Sequence, residues 1–243
     1  MLSEKYKLKK FMKFTNNVTF RELFINDKNC DLICLLLALH YEVPYKELCE
    51  NVEYIEPEMT YNKDEWCIHN YDLILSYNQP FNIGVKLNTE YWKKIYNQFL
   101  KTYPDSFSAD TKVSKKKSLC VREKPFNCVQ INNFNFPENE EFARFRLYDA
   151  KTDECVSDQL ETHYINIKEI SKKSIDAPKL TGYEKLGLLM SSESLEDVEN
   201  ICKDIMTEEE LENILNKIVE FNLDDDIWKE YEKEELKEKE ENN

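Results

Sequence analysis

The hydrophobic pattern of the first fifty residues is helical. The stretch NVTFRELF (17–24) repeats apolar residues at helical spacing and opens a helix, which resumes after the turn INDKN. The run CDLICLLLALH (30–40) is about 11 residues long, which fits a buried helix and is too short to span a membrane. Residues 45–52 add another helical turn, whereas 53–66 are polar, include Pro57 and predict a loop.

Short apolar runs in the middle of the chain predict strands. YDLIL and FNIGVKL flank the polar break SYNQP, which suits a hairpin with strands near 71–76 and 81–87. TEYWKKIYNQFLKTY (89–103) has helical spacing, with Thr89 as its expected N-cap. Further strands are predicted at 126–136, 142–149 and 162–170. Together these elements predict an α/β fold with a mixed central sheet flanked by helices.

The chain from Pro178 onward is predicted to be helical, with YEKLGLLM, LEDVENICKDIM and EEELENILNKIVEF as successive helices. The last of these carries an apolar stripe at helical spacing, formed by Leu211, Ile214, Leu215, Ile218, Val219 and Phe221. The stripe has two interpretations, a dimer interface on a separate subdomain or docking on the chain's own core. The terminal segment, DDDIWKEYEKEELKEKEENN, predicts a solvated helix or a frayed tail.

Charge is divided unevenly along the chain. The net charge of the 243 residues is −15, but residues 1–180 hold 26 Lys/Arg against 27 Asp/Glu, whereas 181–243 hold 7 against 21. A chain of this length can form one or two domains with a full core. Phosphate affinity depends on local basic surface, so acidity confined to the C-terminal region leaves nucleic-acid binding by the rest of the chain open.

Cysteine usage and the N-terminus indicate an intracellular protein. The eight cysteines include no C-x-x-C pair and lie mostly within apolar runs, which predicts reduced core thiols. The N-terminal MLSEKYKLKKFMKF is basic but lacks the apolar segment of a signal peptide. We therefore expect a cytoplasmic protein with no membrane partner.

One glycine occupies an unusual place. The chain has only three glycines, and Gly84 lies inside the predicted strand 81–87. Glycine weakens a strand interior and usually marks a bulge or a close approach of another backbone. Asp72 stands near the start of the preceding strand, and Lys86 follows Gly84 by two residues. The reason for a glycine at this position bears on what the paired strands can do.

Motifs along residues 17–170 resemble those of the PD-(D/E)XK nuclease family transposases, also called recombination-promoting nucleases. Those proteins carry a D-x-x-F-K-x-L-F helix, an Asp-bearing strand and a strand ending in N-I-E-x-Q, which NVTFRELF, YDLIL and NIGVK resemble here. VQINNFNF (129–136) is similar to the family's I-x-I-x-D-F-x-L-F strand. The most specific match is to L-S-D-x-L-E-I-H-F, which preserves Ser157, Asp158, Leu160, Glu161 and His163 in order.

The resemblance implies a restriction-endonuclease-like PD-(D/E)XK core in residues 1–175, followed by an acidic C-terminal helical region in 176–243. In this fold an Asp and a Glu on neighbouring strand ends hold Mg²⁺, which activates water, while a Lys supports the nucleophile and the developing charge. The resemblance assigns Asp72 and Lys86 to two of these positions and implies that they lie close together on adjacent strands.

The sequence departs from the family pattern at two acidic positions. Gly84 stands where the second metal-binding carboxylate belongs, and Asn17 stands at the Asp position of the N-terminal helix, with Arg21 at its Lys position. Both departures remove negative charge from a site for a hard cation. The resemblance therefore implies a degenerate active site, in which Asp72 alone is a poor metal ligand.

Glu90 offers an alternative to a lost metal site. In some branches of this superfamily the acid has moved to the following helix, and Glu90 lies four residues after Lys86 on the predicted helix 89–103. A carboxylate there would restore a metal site made of Asp72 and Glu90. The competing interpretation is a first-turn acid that is favoured by the helix dipole.

Basic residues near the site are candidates for DNA contacts or for ordinary solvated positions. The candidate DNA-binding residues are Lys93, Lys94, Lys115, Lys116 and Lys117. The first two follow Trp92 on the predicted helix, and the other three lie in the basic connection 108–124. His163, in the most specific family segment, is expected to make a structural hydrogen bond.

Two functions follow from the resemblance. The first is a nuclease-fold protein without cleavage activity or cofactor, which binds DNA or a protein partner in a mobile-element or phage-conflict setting. It would act as a homodimer or as a dimer with an active relative. The second is an active Mg²⁺-dependent DNA endonuclease that uses Asp72, Glu90 and Lys86. The neutral residues at positions 17 and 84, together with the acidic C-terminal region, favour the first.

Overall fold

The computed structural model describes most of the chain outside its central region. The described residues are 8, 10–25, 30–55, 73–77, 81–88, 126–134, 139–148 and 155–241. Within them the protein is a mixed α/β structure, which confirms the predicted α/β class. No helix in these ranges combines the length and the apolarity needed to cross a bilayer.

The described strands form one six-stranded sheet in the order β1-β2-β3-β4-β6-β5. Pairing is antiparallel between β1 and β2 and between β2 and β3, parallel from β3 to β4 and from β4 to β6, and antiparallel between β6 and β5. The strands are β1 (Val52–Ile55), β2 (Leu73–Tyr77), β3 (Phe81–Asn88), β4 (Phe126–Asn132), β5 (Phe142–Tyr148) and β6 (Cys155–Asn166).

The described helices lie before and after the sheet in the chain. Before it are α1 (Asn17–Thr19), continued by a π-helical turn (Phe20–Phe24), α2 (Cys30–Tyr41) and α3 (Tyr45–Asn51). After it are α4 (Ile167–Ile170), α5 (Gly182–Met190), α6 (Leu195–Cys202), α7 (Glu208–Asn222) and α8 (Asp225–Glu241). Residues 17–24 were predicted to be helical, but the bonding widens to the π form from Phe20 onward.

The core lies between one face of the sheet and the helices. Val85, Val129 and Ile165 are fully buried, and the alternating residues of β3 and β4 direct their apolar side chains to the same face. All residues of α2 from 32 to 39 are buried, so this helix is apolar around its whole circumference, as central helices are. The apolar run that predicted α2 therefore forms the centre of the molecule.

Three predicted boundaries are wrong. Residues 53–66 were predicted to be a loop, yet Val52–Ile55 forms β1 by pairing with β2. The strand predicted at 162–170 ends at Asn166, because the Asn166 side chain accepts a hydrogen bond from the Glu169 backbone N–H and caps α4. The strand predicted at 126–136 ends earlier, at Asn132.

The C-terminal helices pack on the N-terminal half of the molecule. The stripe residues Leu211, Ile214, Leu215 and Ile218 are at most 4% exposed and share one apolar cluster with α2 and the sheet. Docking on the chain's own core is therefore the interpretation that the structure supports for this stripe. The terminal acidic segment forms a regular helix, α8, in agreement with the solvated-helix prediction, but its Tyr231 is buried.

Candidate functional site

The hairpin formed by β2 and β3 carries the candidate site. Its register pairs Leu73 with Val85 and Ile74 with Gly84, so that Lys86 follows the last described pair by one residue. The adjacent, antiparallel arrangement of these two strands confirms the predicted hairpin. Asp72 precedes Leu73, the first described residue of β2, and lies outside the described residues.

Gly84 lies in a regular part of the sheet. It pairs with Ile74 on one side and with Cys128 on the other, and neither pairing shifts register at this point. Regular pairing on both sides places this residue in an extended strand, as the sequence predicts. The pairing shows no bulge at this residue, and Gly84 occupies an ordinary strand position.

The described part of the site does not fit the metal that the resemblance implies. Gly84 has no side-chain oxygen, and its backbone takes part in strand pairing on both sides. Among the described residues, no group of three or more His, Cys, Asp and Glu side chains could hold a metal ion. Strand β3 thus offers Mg²⁺ none of the carboxylate oxygens that it prefers.

The other predicted site residues divide between described and undescribed parts of the chain. The backbone of Lys86 is placed in β3, opposite Gln130 of β4. The remaining candidates lie outside the described residues, namely Asp72, Glu90, Lys93, Lys94, Lys115, Lys116 and Lys117.

Asn17 makes its described contact with the C-terminal helix. It begins α1, which is capped by the Asn16 side chain, and its amide nitrogen donates to Oε1 of Glu234 over 3.3 Å. Arg21, one turn later, is exposed and pairs with Glu22 at 2.8 Å and with Glu230 at 3.7 Å. Asn17 and Arg21 thus both contact carboxylates of α8, the segment that the sequence predicted to be a solvated helix or a frayed tail.

A polar network that sequence reasoning did not assemble joins α2 to the last two strands. Arg144 of β5 donates twice to the Glu161 carboxylate of β6, from Nε at 2.6 Å and from Nη2 at 2.7 Å. The same carboxylate is hydrogen-bonded to Nε2 of His163, whose Nδ1 lies 2.7 Å from Nε2 of His40. The predicted structural hydrogen bond of His163 is therefore confirmed.

The Glu161 carboxylate at one end of this network determines the hydrogen-bond directions. A carboxylate only accepts, so His163 Nε2 carries a hydrogen. In the neutral ring Nδ1 then accepts, and His40 Nε2 donates to it. His40 Nδ1 is left as a buried acceptor with no hydrogen-bond partner among the described residues.

Electrostatics keep the inner histidine of the network neutral. Burial, with a smaller contribution from the neighbouring His163, lowers the pKa of His40 to about 3. Aromatic rings enclose it, with the Tyr41 ring centroid at 4.7 Å and that of Phe142 at 6.3 Å. The network therefore ties α2 to β6 and β5, and His40 adds no charge to the Arg144–Glu161 ion pair.

Part of this network, the pairing of Glu161 with His163, could have been predicted from the sequence. Glu161 and His163 are two residues apart on a strand, so they share one face, and both belong to the most specific family segment. His40 lies 123 positions earlier, and no local pattern could have paired it with His163.

The described cysteines agree with the prediction of reduced core thiols. Cys30, Cys34, Cys49 and Cys202 are free, and two of them, Cys34 and Cys202, are buried. Burial raises the pKa of the Cys202 thiol to about 12, which keeps it protonated.

Comparisons of the chain with protein-family models, with curated proteins and with solved structures find no match. The resemblance to the nuclease family therefore rests on the motifs in the sequence.

Proposed function

We propose that this chain is a PD-(D/E)XK nuclease-like protein of the transposase family that has lost cleavage activity and acts by binding DNA. The order of its described elements supports the proposal. A three-stranded antiparallel meander, β1 to β3, is followed by a strand, β4, that is parallel to β3. This arrangement makes neighbours of the strand that follows Asp72 and the strand that bears Lys86, as the family site requires.

Register supports the same assignment. Leu73 faces Val85, so extending the antiparallel pairing by one residue would set Asp72 opposite Lys86. We propose this pairing as the remnant of the family site. A catalytic Lys and a metal-binding Asp would need such proximity, because both act on one phosphate.

The regular strand geometry at Gly84 is the observation that carries the loss of activity. A bulge would explain the glycine by local geometry, but the pairing at position 84 is regular on both sides. The carboxylate that the family pattern requires on this strand is simply absent. With Asn17 also neutral, two of the three acidic family positions carry no charge.

Cleavage assays with Mg²⁺ and with Mn²⁺ test the loss of activity. We expect no more than trace DNA cleavage by the wild-type protein with either ion, Mn²⁺ being the stricter test because it tolerates poorer geometry. Gly84→Glu should give a measurable rate, and Gly84→Gln, equal in size but uncharged, should not. Robust wild-type cleavage that Glu90→Gln abolishes would overturn the proposal and place Glu90 on the metal.

Binding is tested separately with fluorescently labelled duplex DNA. We expect affinity to fall as salt rises, since phosphate contacts release counterions. The double change Lys93→Gln and Lys94→Gln should weaken binding and flatten the salt dependence. The matched control changes Lys46 and Lys172, which are exposed and pair with neighbouring acids on their own segments. Absence of binding at low salt would refute DNA as the partner and leave a protein partner as the alternative.

A further inference from the structure

Described residues of the N-terminal segment lie against the C-terminal helix, and the two segments have opposite charges. Residues 1–14 contain five Lys and one Glu, and Arg21 follows on the π-helical turn. Helix α8 contains nine acids and four Lys in 17 residues. Helix α8 contacts α1 directly. Charge complementarity between two segments more than 200 positions apart is thus built into the fold.

Individual contacts place carboxylates beside the cations. Lys10 Nζ lies 3.3 Å from Oε1 of Glu232 and 5.3 Å from the centre of the Trp228 ring. Arg21 Nη2 lies 3.7 Å from Oε2 of Glu230. With the 3.3 Å hydrogen bond from Asn17 to Glu234, three alternate acids of α8 reach the N-terminal segment.

Apolar and backbone contacts, rather than these ion pairs, hold α8 in place. The Tyr231 side chain is only 4% exposed, and its hydroxyl accepts a hydrogen bond from the Lys13 backbone N–H at 3.4 Å. Nearby, the Met12 backbone N–H donates to the Asn222 side chain at 2.8 Å, and the Trp228 indole donates to the Asn222 carbonyl at 2.7 Å. Removing the acidic charges would therefore leave the helix where it is.

The ion pairs also contribute little to stability because their side chains are exposed to solvent. The side chains of Lys10 and Arg21 are 68% and 61% exposed, and those of Glu232 and Glu230 are 58% and 64% exposed. Exposed pairs of this kind stabilise proteins only weakly, because water and salt screen them. Their main consequence is that cations on the surface of the N-terminal segment are neutralised by carboxylates of the same chain.

We propose that α8 is an autoinhibitory cover over a phosphate-binding surface formed by Lys10, Lys13 and Arg21, with the carboxylates of Glu230 and Glu232 in the places of DNA phosphates. This inference rests on the proposed DNA-binding function. Neutralising these carboxylates frees two exposed cations from their ion pairs, and the unmodified protein binds DNA more weakly than its N-terminal surface allows. Any process that withdraws the acidic charges strengthens binding.

The test compares two variants with the same change in charge. The cover variant carries Glu230→Gln, Glu232→Gln and Glu234→Gln, which keep side-chain size. The control variant carries Glu196→Gln, Glu209→Gln and Glu220→Gln, three exposed acids on α6 and α7. Affinity for a labelled DNA duplex is measured by fluorescence anisotropy between 50 and 200 mM salt, and thermal unfolding confirms that both variants are folded.

We expect the cover variant to bind more tightly than wild type and the control variant to gain far less. Two additional phosphate contacts steepen the slope of log affinity against log salt by about 1.8, or about tenfold over this salt range. Adding Lys10→Gln and Arg21→Gln to the cover variant should return both affinity and slope to wild-type values. In the wild-type background the same two changes should have little effect, since the cations are already neutralised.

Each contrary outcome has a distinct meaning. Equal gains in the cover and control variants would show that net charge alone governs affinity and would overturn the inference. Wild-type binding with no gain in the cover variant would refute the inference and leave the proposed function standing. No binding by any variant would refute both. If the cover variant fails to fold, a loss of affinity caused by Lys10→Gln and Arg21→Gln in wild type overturns the inference by itself.

Discussion

His40 has one ring nitrogen hydrogen-bonded to His163 and the other without a described partner, so a proton added to it gains nothing. Its folded pKa is about 3, whereas an unfolded histidine titrates near 6.5. The unfolded chain therefore binds more protons than the folded chain between these values. By linkage, this residue makes stability rise with pH through that window and fall as pH drops below about 6.5.

Urea unfolding at pH 4.5 to 8 tests this difference. We expect His40 to lower the free energy of unfolding by about 1.4 kcal/mol for each pH unit below 6.5. His40→Gln keeps an amide donor toward His163 but cannot titrate, so its stability should depend less steeply on pH in this window. Equal slopes in the two proteins would contradict the assignment.

The lowered pKa of Glu184 sets the lowest pH at which that experiment isolates the effect of His40. Burial raises the pKa of Glu184, but hydrogen bonds from Lys173 and Thr181 outweigh it and lower the pKa to about 2. The stability that this carboxylate contributes is present above its unfolded pKa of 4.5 and is lost as pH falls toward 2. Measurements above pH 4.5 therefore separate His40 from Glu184.

Residue-scale prediction from the sequence succeeded where the signal was local. The hydrogen-bonding role of His163 and the strand position of Gly84 follow from a family segment and from a short apolar run. The partners of Asn17 and His40 could not be predicted in this way. They lie 217 and 123 positions away, and only packing of helices on the sheet brings them together.

At the scale of elements, the end of α2 meets the start of α5. Glu42 terminates α2 in the left-handed conformation, with φ of 55°, and its carboxylate accepts the Gly182 backbone N–H at 2.7 Å. A carboxylate at a helix N-terminus is favoured by the unpaired N–H groups and by the helix dipole. A Cβ at position 182 would lie 2.2 Å from the Leu39 carbonyl oxygen, so the two helices approach as closely as only glycine allows.

The two glycines of α5 give a matched comparison. Gly182→Ala should destabilise the protein by about 1–3 kcal/mol, because backbone must move to relieve the overlap. Gly187→Ala meets only the side chain of Ile170, at 2.7 Å, and gains the helix propensity of alanine, so its cost should be smaller. Chemical denaturation of both variants measures the difference. A larger loss at position 187 would mean that the α2–α5 contact is not tight.

Prediction of elements failed where tertiary structure overrides local preference. The polar segment from residue 53 gave no strand pattern, and β1 exists because β2 offers an edge with which it can pair. Conversely, residues 162–170 were predicted to be one strand, but the chain turns into α4 once Asn166 caps it. The C-terminal helices were predictable because strong signals mark them, including the capping box of Thr207 and Glu210 at the start of α7.

At the scale of the whole molecule, charge and core divide the chain differently. The charge pattern separates an acidic C-terminal region from a nearly neutral remainder. The buried apolar cluster makes no such division, since it runs from Met12 through α2 and the sheet to Tyr231. Except for Glu184 and Glu199, which are buried, the described acids of the C-terminal region lie away from the inner faces that complete the core, so electrostatic asymmetry is compatible with continuous packing.

A chain truncated after Ile175 tests whether folding follows the charge boundary or the continuous apolar core. Truncation removes α5, which packs on α2, and the buried stripe of α7. Nine buried Leu and Ile side chains lie in the removed segment. At about 1.5–3 kcal/mol each they contribute roughly 14–27 kcal/mol, against the roughly 5–15 kcal/mol that stabilise a typical domain. We expect residues 1–175 alone to show no cooperative thermal transition by circular dichroism and to expose apolar surface to a hydrophobic dye.

Adding residues 176–243 as a separate chain controls for damage caused by the cut. If residues 1–175 alone do not fold because they lack part of the shared core, co-expression of the two fragments should restore a cooperative transition. The fragments should then form a complex with one copy of each. Light scattering on the intact chain should give the mass of a monomer at low protein concentration, since the stripe that would form a dimer is already buried. A sharp transition in residues 1–175 alone would instead establish the domain boundary that charge suggests, with the C-terminal helices as an addition to a core that does not need them.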